Sequence, residues 1–260
     1  MKAVILAGGY GTRISEETHL KPKPLIEIGD RPILLHIMEH YASFGYNDFI
    51  ICLGYKGHLI KEYFSSYYLQ HSDVTYDFSG QTETLLHTPY RCDWKVTLVD
   101  TGRDTMTGGR IRRIRKYTGD EPFMLTYGDG IADIDLKALH QFHLSHGKAA
   151  TITAVQPPGR FGALKVDASG KVDGFIEKPK GDDGWVNGGF FILQPEIFQL
   201  LPDDTTVWEQ KPLADLAVRG ELMAYKHDSF WHPMDTLRDK NYLEQLWQSG
   251  GLEWLKPKKP

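Results

Sequence analysis

Short runs of consecutive apolar residues alternate, over the first two thirds of the chain, with longer stretches whose apolar positions recur every three or four residues. Strands covered on both faces read as unbroken apolar runs, whereas helices lying on a sheet keep a one-sided stripe. Lys2 to Leu6 is the first such strand. Pro32, with its fixed φ, opens a helix whose stripe is Ile33, Leu34, Ile37, Met38 and Tyr41. Phe49 to Leu53 predicts a second strand and is followed by a helix around Ile60 to Tyr67. Val96 to Val99 predicts a third strand, after which Thr107 is read as the cap of a helix carrying Ile111, Ile114 and Tyr117. Phe123 to Tyr127 is the next strand and runs into Gly128-Asp129-Gly130. Ser72 to Trp94 is polar and weakly periodic, which suits an excursion or hairpin.

After Asp129 the rhythm changes. A helix near Leu136 to His146 precedes strand-like runs at Thr151 to Val155, Ala163 to Val166, Val172 to Ile176 and Gly189 to Leu193. Strands in series with short turns predict an antiparallel extension. A helix from about Lys211 to Val218, a strand near Leu222 to Lys226 and a helix from Asp239 to Trp247 follow, and Lys256 to Pro260 reads as a solvated tail. The pattern predicts an α/β fold: a Rossmann-like mixed, mainly parallel sheet flanked by helices, with a small antiparallel extension, in one domain spanning 1–260. No internal repeat is present.

Composition narrows the function classes. The 260 residues are 41% hydrophobic and 25% charged, with 30 Lys and Arg against 34 Asp and Glu. The formal charge of −4 argues against a general nucleic-acid partner, whose footprint is basic. The apolar run before Gly8 is only five residues long, Ala3 to Ala7, short of a signal peptide's apolar core and far short of a membrane span. Cys52 and Cys92 form no Cys-x-x-Cys pattern and suggest a reducing compartment without thiol chemistry. A cytoplasmic protein with no membrane partner is expected.

The chemistry concentrates at Leu6-Ala-Gly-Gly-Tyr-Gly-Thr-Arg13, directly after the first strand. Closely spaced glycines let backbone N–H groups approach anionic oxygens, and Arg13 adds a guanidinium suited to phosphate. The segment is no P-loop, because no Lys-Ser or Lys-Thr follows at the required distance. It also fails the dinucleotide fingerprint, because Ile14 stands where glycine or alanine is needed. In Lys21-Pro-Lys-Pro24 the prolines predict a stiff extended mount for two lysines. Rigid cations beside a phosphate cradle suit phosphoryl or nucleotidyl transfer. Asp129 follows the carboxyl end of a buried strand, where open α/β sheets place ligands.

Gly8-Gly-x-Gly-Thr-Arg13 with Lys21-Pro-Lys-Pro24 resembles the amino-terminal signature of the sugar-1-phosphate nucleotidyltransferases. The likeness recurs in order at Tyr127-Gly-Asp-Gly130, Glu177-Lys-Pro179, Asn187-Gly-Gly189 and Asp235. Leu98-Val-Asp-Thr-Gly102, Met106-Thr-Gly-Gly-Arg110, Pro158-Gly-Arg-Phe-Gly-Ala163 and Phe230 to Asp239 resemble its cytidylyl-transferring branch. The resemblance implies a nucleotide-binding half at about 1–130 and a sugar-phosphate half at about 131–250. It implies that Leu6, Ala7, Gly8, Gly9, Tyr10, Gly11, Thr12, Arg13, Lys23, Thr105, Arg110 and Gly128 face the nucleotide. Lys23, Arg13 and Asp129 would be catalytic, with Asp129 and Asp235 holding Mg²⁺. Glu177, Lys178 and Asn187 would bind the sugar phosphate. CTP and α-D-glucose 1-phosphate are the implied substrates, with UTP or dTTP the nearest alternative, because backbone groups invisible to sequence can select the base. CDP-glucose would supply dideoxysugars for a surface polysaccharide such as the O-antigen of lipopolysaccharide. Members of the family are usually homo-oligomers, and the aromatic residues from Tyr63 to Tyr68 suit an interface or a core equally. A non-catalytic sensor of the same fold would be expected to lose Arg13, Lys23, Asp129 or Asp235, and all four are present.

Three patterns compete with this reading. His36-Ile-Met-Glu-His40 fits H-x-x-E-H, but its face lies off the apolar stripe, so a solvated histidine pair is expected there and likewise at His143 and His146. The basic run Arg110 to Lys116 keeps helical spacing of isoleucines and reads as a solvated helix face, with Arg110 at its start the exception. Asp129-Gly-Ile-Ala-Asp133 is not the D-x-D of metal-dependent glycosyltransferases, because residue 131 is Ile.

Overall fold

Seven of the apolar runs pair into one sheet: β1 (Lys2–Ala7), β2 (Asp48–Leu53), β3 (Lys95–Asp100), β4 (Phe123–Tyr127), β5 (Ala150–Val155), β6 (Val186–Leu193) and β7 (Leu222–His227). Their order is β7-β5-β6-β4-β1-β2-β3. The computed structural model describes residues 1–80, 83–87, 92–157, 163–166, 169–176 and 184–252. Residues 158–162 of the Pro158–Ala163 motif, Glu177, Lys178 and the tail from Lys256 to Pro260 lie outside them.

β1 pairs in parallel with β2 and β4, β2 with β3, and β5 with β7. β6 runs against both β4 and β5. Its first residues therefore meet the carboxyl ends of β4 and, one strand further, β1. The expected antiparallel hairpin exists, at Ala163–Val166 and Val172–Ile176, but it is a separate two-stranded ribbon and not a lengthening of the main sheet.

Alternate residues of the central strands feed two cores. Ala3, Ile5, Ala7, Phe49, Ile51 and Leu53 pack on one face against α1 (Ile33–Ser43), α2 (Gly57–Ser65), α4 (Leu136–His146) and α6 (Leu237–Gln248). Val4, Leu6, Ile50 and Cys52 face α3 (Thr107–Arg113), α5 (Lys211–Val218) and the buried Trp208. Burial pushes the Cys52 thiol up to about 12, out of reach of thiolate chemistry. No helix among the described residues is long and apolar enough to cross a membrane.

Several expectations are overturned. Thr107 does not cap α3: the cap position is Met106, and the Thr107 hydroxyl turns to Glu209. His36 is fully buried, with Nε2 2.8 Å from the Ile28 carbonyl, and His40 Nε2 lies 2.9 Å from that of Ile134. α1 is buried around most of its girth, so its polar-looking face is covered by the Glu27–Ile28 segment and α6. His143 is also buried, against Thr151. Tyr63, Phe64 and Tyr67 join the core, whereas Tyr68 is exposed. The Ser72 to Trp94 excursion contains a ribbon of Val74–Asp77 and Glu83–Leu86.

Candidate active site

The carboxyl ends of β1 and β4 and the start of β6 open into a cleft of about 790 Å³. β1 ends at Ala7 and the chain turns through the glycines into a 3₁₀ turn at Thr12–Ile14. Gly11 there has φ +65°, a left-handed conformation in which a Cβ would also fall 2.6 Å from Thr18 Cγ2. At Gly8 a Cβ would fall 2.2 Å from Arg110 Nη1, so the loop is held against that guanidinium. Arg110 is 5% exposed. Its Nη1 donates to the carbonyls of Leu53 and Gly102 and to Thr101 Oγ1, and its Nη2 to the carbonyls of Gly8 and Arg103. Both Nη groups are thus occupied by protein acceptors, and Arg110 joins the glycine loop to the ends of β2 and β3. Gly54 completes the joint, since a Cβ there would lie 2.5 Å from the Gly8 carbonyl oxygen. Sequence patterns gave no sign of Gly54.

Lys21-Pro-Lys-Pro24 is not uniformly extended. Pro22 is extended at ψ 149°, and Lys23–Leu25 then forms a 3₁₀ turn, which tolerates Pro24 because no N–H is needed in a first turn. The turn splits the two lysines. Lys21 pairs with Glu27 on the surface, and Lys23, 8% exposed, enters the cleft.

Lys23 Nζ sits between two carboxylates, 2.6 Å from Asp129 Oδ2 and 2.8 Å from Asp235 Oδ1. Arg13 Nη1 reaches Asp235 Oδ2 at 2.6 Å. The acids are 106 positions apart in sequence and are joined by a ribbon in which Gly130–Ala132 pairs with Trp231–Pro233. The Met234 N–H donates to the Asp129 carbonyl at 2.7 Å, and the Trp231 indole to the Gly188 carbonyl at 2.7 Å. Asp235 is steadied by Asp239, whose Oδ2 accepts from the backbone N–H of Asp235 and Thr236 within the capping box of α6. Burial works against the Asp239 carboxylate, but the Thr236 hydrogen bonds and His232 outweigh it and hold its pKa below the usual range.

Asn187 lies on the far wall. Its Oδ1 accepts from the Gly189 N–H at 2.8 Å and its Nδ2 donates to Tyr127 Oη at 3.1 Å. Tyr127 donates in turn to Glu209. Burial, then the Glu209 charge, raise the Tyr127 phenol well above its ordinary value. Tyr10 and Thr105 line the cleft as well, with the Tyr10 hydroxyl bonded to Asp104 and Arg103 lying over the rings of Tyr10 and Tyr55.

The described candidates, from Leu6 to Arg13 and at Lys23, Thr105, Arg110, Gly128, Asp129, Asn187 and Asp235, all line this cleft. Tyr127 and Glu209 join them, and only the tertiary fold reveals Glu209. The pair of carboxylates converging on one cation is an all-oxygen donor set of the kind that holds Mg²⁺ together with substrate phosphates. Among the described residues no group of three or more His, Cys, Asp or Glu gathers into a metal cage.

The family model for nucleotidyl transferases matches residues 2–231. The glucose-1-phosphate cytidylyltransferase of Salmonella typhi is 58% identical over 255 residues, covering 98% of each chain. A probable glucose-1-phosphate cytidylyltransferase of Bacillus subtilis (strain 168) is 47% identical, covering 98% of this chain and 99% of that one. The crystal structure of HddC from Yersinia pseudotuberculosis superposes with a TM-score of 0.68 at 24% identity, covering 95% of this chain and 99% of the other, and so shares the fold. With that family's model matched from the first strand to the ribbon beside Asp235, the chain belongs to the nucleotidyl transferases.

Proposed function

We propose that the protein transfers a cytidylyl group from CTP to α-D-glucose 1-phosphate, giving CDP-glucose and pyrophosphate. The observation that carries the reading is the convergence of Lys23, Asp129 and Asp235 beneath the glycine loop in one cleft. The choice of CTP and of glucose 1-phosphate is supported by the 58% and 47% identical relatives, whose names carry both.

A phosphate oxygen of the sugar phosphate attacks the α-phosphorus of CTP, the bond to the bridging oxygen breaks, and pyrophosphate leaves. The second pKa of a phosphate monoester is about 6, so the nucleophile is already largely dianionic at neutral pH and needs no general base. The obstacle is electrostatic, since two anions must meet. Asp129 and Asp235 would hold Mg²⁺, which supplies charge neutralisation to the triphosphate. The chain's own share is positioning and fixed charge. The glycine-loop N–H groups and Arg13 would receive the triphosphate, Lys23 would hold positive charge at the floor, and Asn187 would orient the sugar phosphate, with Glu177 and Lys178 assigned to the same substrate.

Pyrophosphate release with Mg²⁺, α-D-glucose 1-phosphate and each of CTP, UTP, dTTP, ATP and GTP tests the reading. A strong preference for CTP is expected. Preference for UTP or dTTP overturns the base assignment alone, and silence with all five overturns the reaction.

A further inference from the structure

We infer that Glu209 is a positioning residue for the sugar-phosphate wall of the cleft, acting through Tyr127 on Asn187. The inference rests on the reading of Asn187 as a sugar-phosphate ligand. Glu209 is solvent-exposed at the cleft edge, yet both of its oxygens are engaged: Oε1 accepts from Tyr127 Oη and Oε2 from Thr107 Oγ1, each at 2.6 Å. These are short charge-assisted bonds, about twice as strong as neutral ones.

The direction of every bond in the chain follows from the carboxylate, which can only accept. Thr107 has one hydroxyl proton. Its oxygen already accepts from the Trp208 N–H at 2.9 Å, so the proton is free to go to Glu209. Tyr127 also has one proton, and Glu209 takes it. The phenol oxygen is left as an acceptor, and it receives Asn187 Nδ2. Gly189 N–H fixes the other end of the Asn187 amide, at Oδ1. The amide therefore has one orientation, with a second Nδ2 hydrogen left over for an oxygen of the sugar or its phosphate. Without Glu209 the phenol proton is free to turn and the polarity of the chain is lost.

The mount is rigid at both ends. Trp208 is fully buried with its ring against Phe191, so Glu209 stands on core. Gly189 has φ +83°, and a Cβ there would fall 2.5 Å from the Tyr127 ring, so β6 approaches Tyr127 as closely as a chain without side chain allows. The linkage joins the start of α3, next to Thr105 and Met106, to the start of β6.

The test is steady-state pyrophosphate release by the full chain, with CTP and α-D-glucose 1-phosphate varied in turn, for wild type, Glu209→Ala, Tyr127→Phe, Asn187→Ala and the double variant Glu209→Ala/Asn187→Ala. Glu209→Ala and Tyr127→Phe are each expected to raise KM for the sugar phosphate about tenfold, with KM for CTP within about twofold, which is the scale of one lost charge-assisted hydrogen bond. In the Asn187→Ala background the Glu209 change is expected to add less than about twofold, because the two act in series. Glu209→Gln, which keeps an acceptor for Tyr127, should recover most of the affinity. Equal losses toward both substrates, or full additivity with Asn187→Ala, overturn the inference. Tyr127→Phe keeps the ring's packing and carries the test should Glu209→Ala fold poorly. If Asn187→Ala leaves the sugar-phosphate KM unchanged, the reading of Asn187 fails and the inference with it. If Asn187→Ala raises that KM and Glu209→Ala does not, only the inference fails.

Discussion

Lys23 Nζ touches both cleft acids, so deleting its ammonium leaves two carboxylates facing one another with only Arg13 on one of them. Arg13 is 70% exposed and is worth correspondingly less. Removing a preorganised charge that meets a transition state costs about 10²–10³ in kcat. Lys23→Ala is therefore expected to lower kcat at least a hundredfold, with Tm moving by less than about 5 °C, because both acids keep access to water. Stopped-assay pyrophosphate release and a thermal melt measure both, and near-wild-type turnover would remove Lys23 from the chemistry. Residues of this kind were legible in the sequence because each sits in a short motif whose residue types declare their chemistry. Glu209 and Gly54 were not, because each acts through a partner about 50 to 100 positions away. Arg110 was visible as an arginine at the start of a helix, but not its work of joining three loops through their carbonyls, which only the closed fold brings within reach.

Among the elements, α4 had bounds readable from its pattern, but its contacts were not. Leu136, Leu139 and His143 form one buried stripe, so a histidine takes a core position on that helix. Gln194 Nε2 donates to His143 Nε2, which leaves Nδ1 as the protonated nitrogen, directed at Thr151 Oγ1. The imidazole is held neutral. Burial, then the neighbouring His146, lower its pKa to about 4, and burial does the same to His40 on α1. Below about pH 6.5 the unfolded chain binds protons that these folded histidines refuse. Their contribution to stability is whole above pH 6.5 and is lost as the pH falls toward 4. A shift of that size is worth about 2–3 kcal/mol per residue after allowing for solvent. Guanidinium unfolding at pH 7 and pH 4.5 should show His143→Gln losing about 2 kcal/mol less than wild type over that interval. Equal losses would mean that His143 titrates normally in the folded protein. The stripe itself was the missed signal: one-sided amphipathicity puts a histidine at 143 with the leucines, and α1, buried around most of its girth, has no free side for His36 and His40 to occupy.

At the scale of the molecule, the cleft has no local existence. The glycine loop and Lys23 come from the first tenth of the chain, Asp129 from its middle, Asn187 from an antiparallel strand, and Asp235 from the turn into the last helix. A ligand that spans these parts binds the folded chain and not the unfolded one, and so raises its stability by mass action: about 2.7 kcal/mol at a hundred times Kd. For a chain of this size each kcal/mol moves Tm by about 2–4 °C, so CTP with Mg²⁺ at that level should raise Tm by roughly 5–11 °C. The carboxylate pair is the part of this site that asks for a cation, and chelation with EDTA should remove most of the shift. Asp235→Asn isolates the pair, because it keeps the shape and the backbone bonds to Asp239 while deleting one charge. Without ligand its Tm should fall by less than about 5 °C, since the Arg13 pair it loses is on the surface and Lys23, the other partner it loses, keeps Asp129. With ligand it should show less than half the wild-type shift. A full shift in Asp235→Asn would take that residue out of the metal site, and a full shift in EDTA would mean that CTP is held by the glycine loop, Arg13 and Lys23 alone.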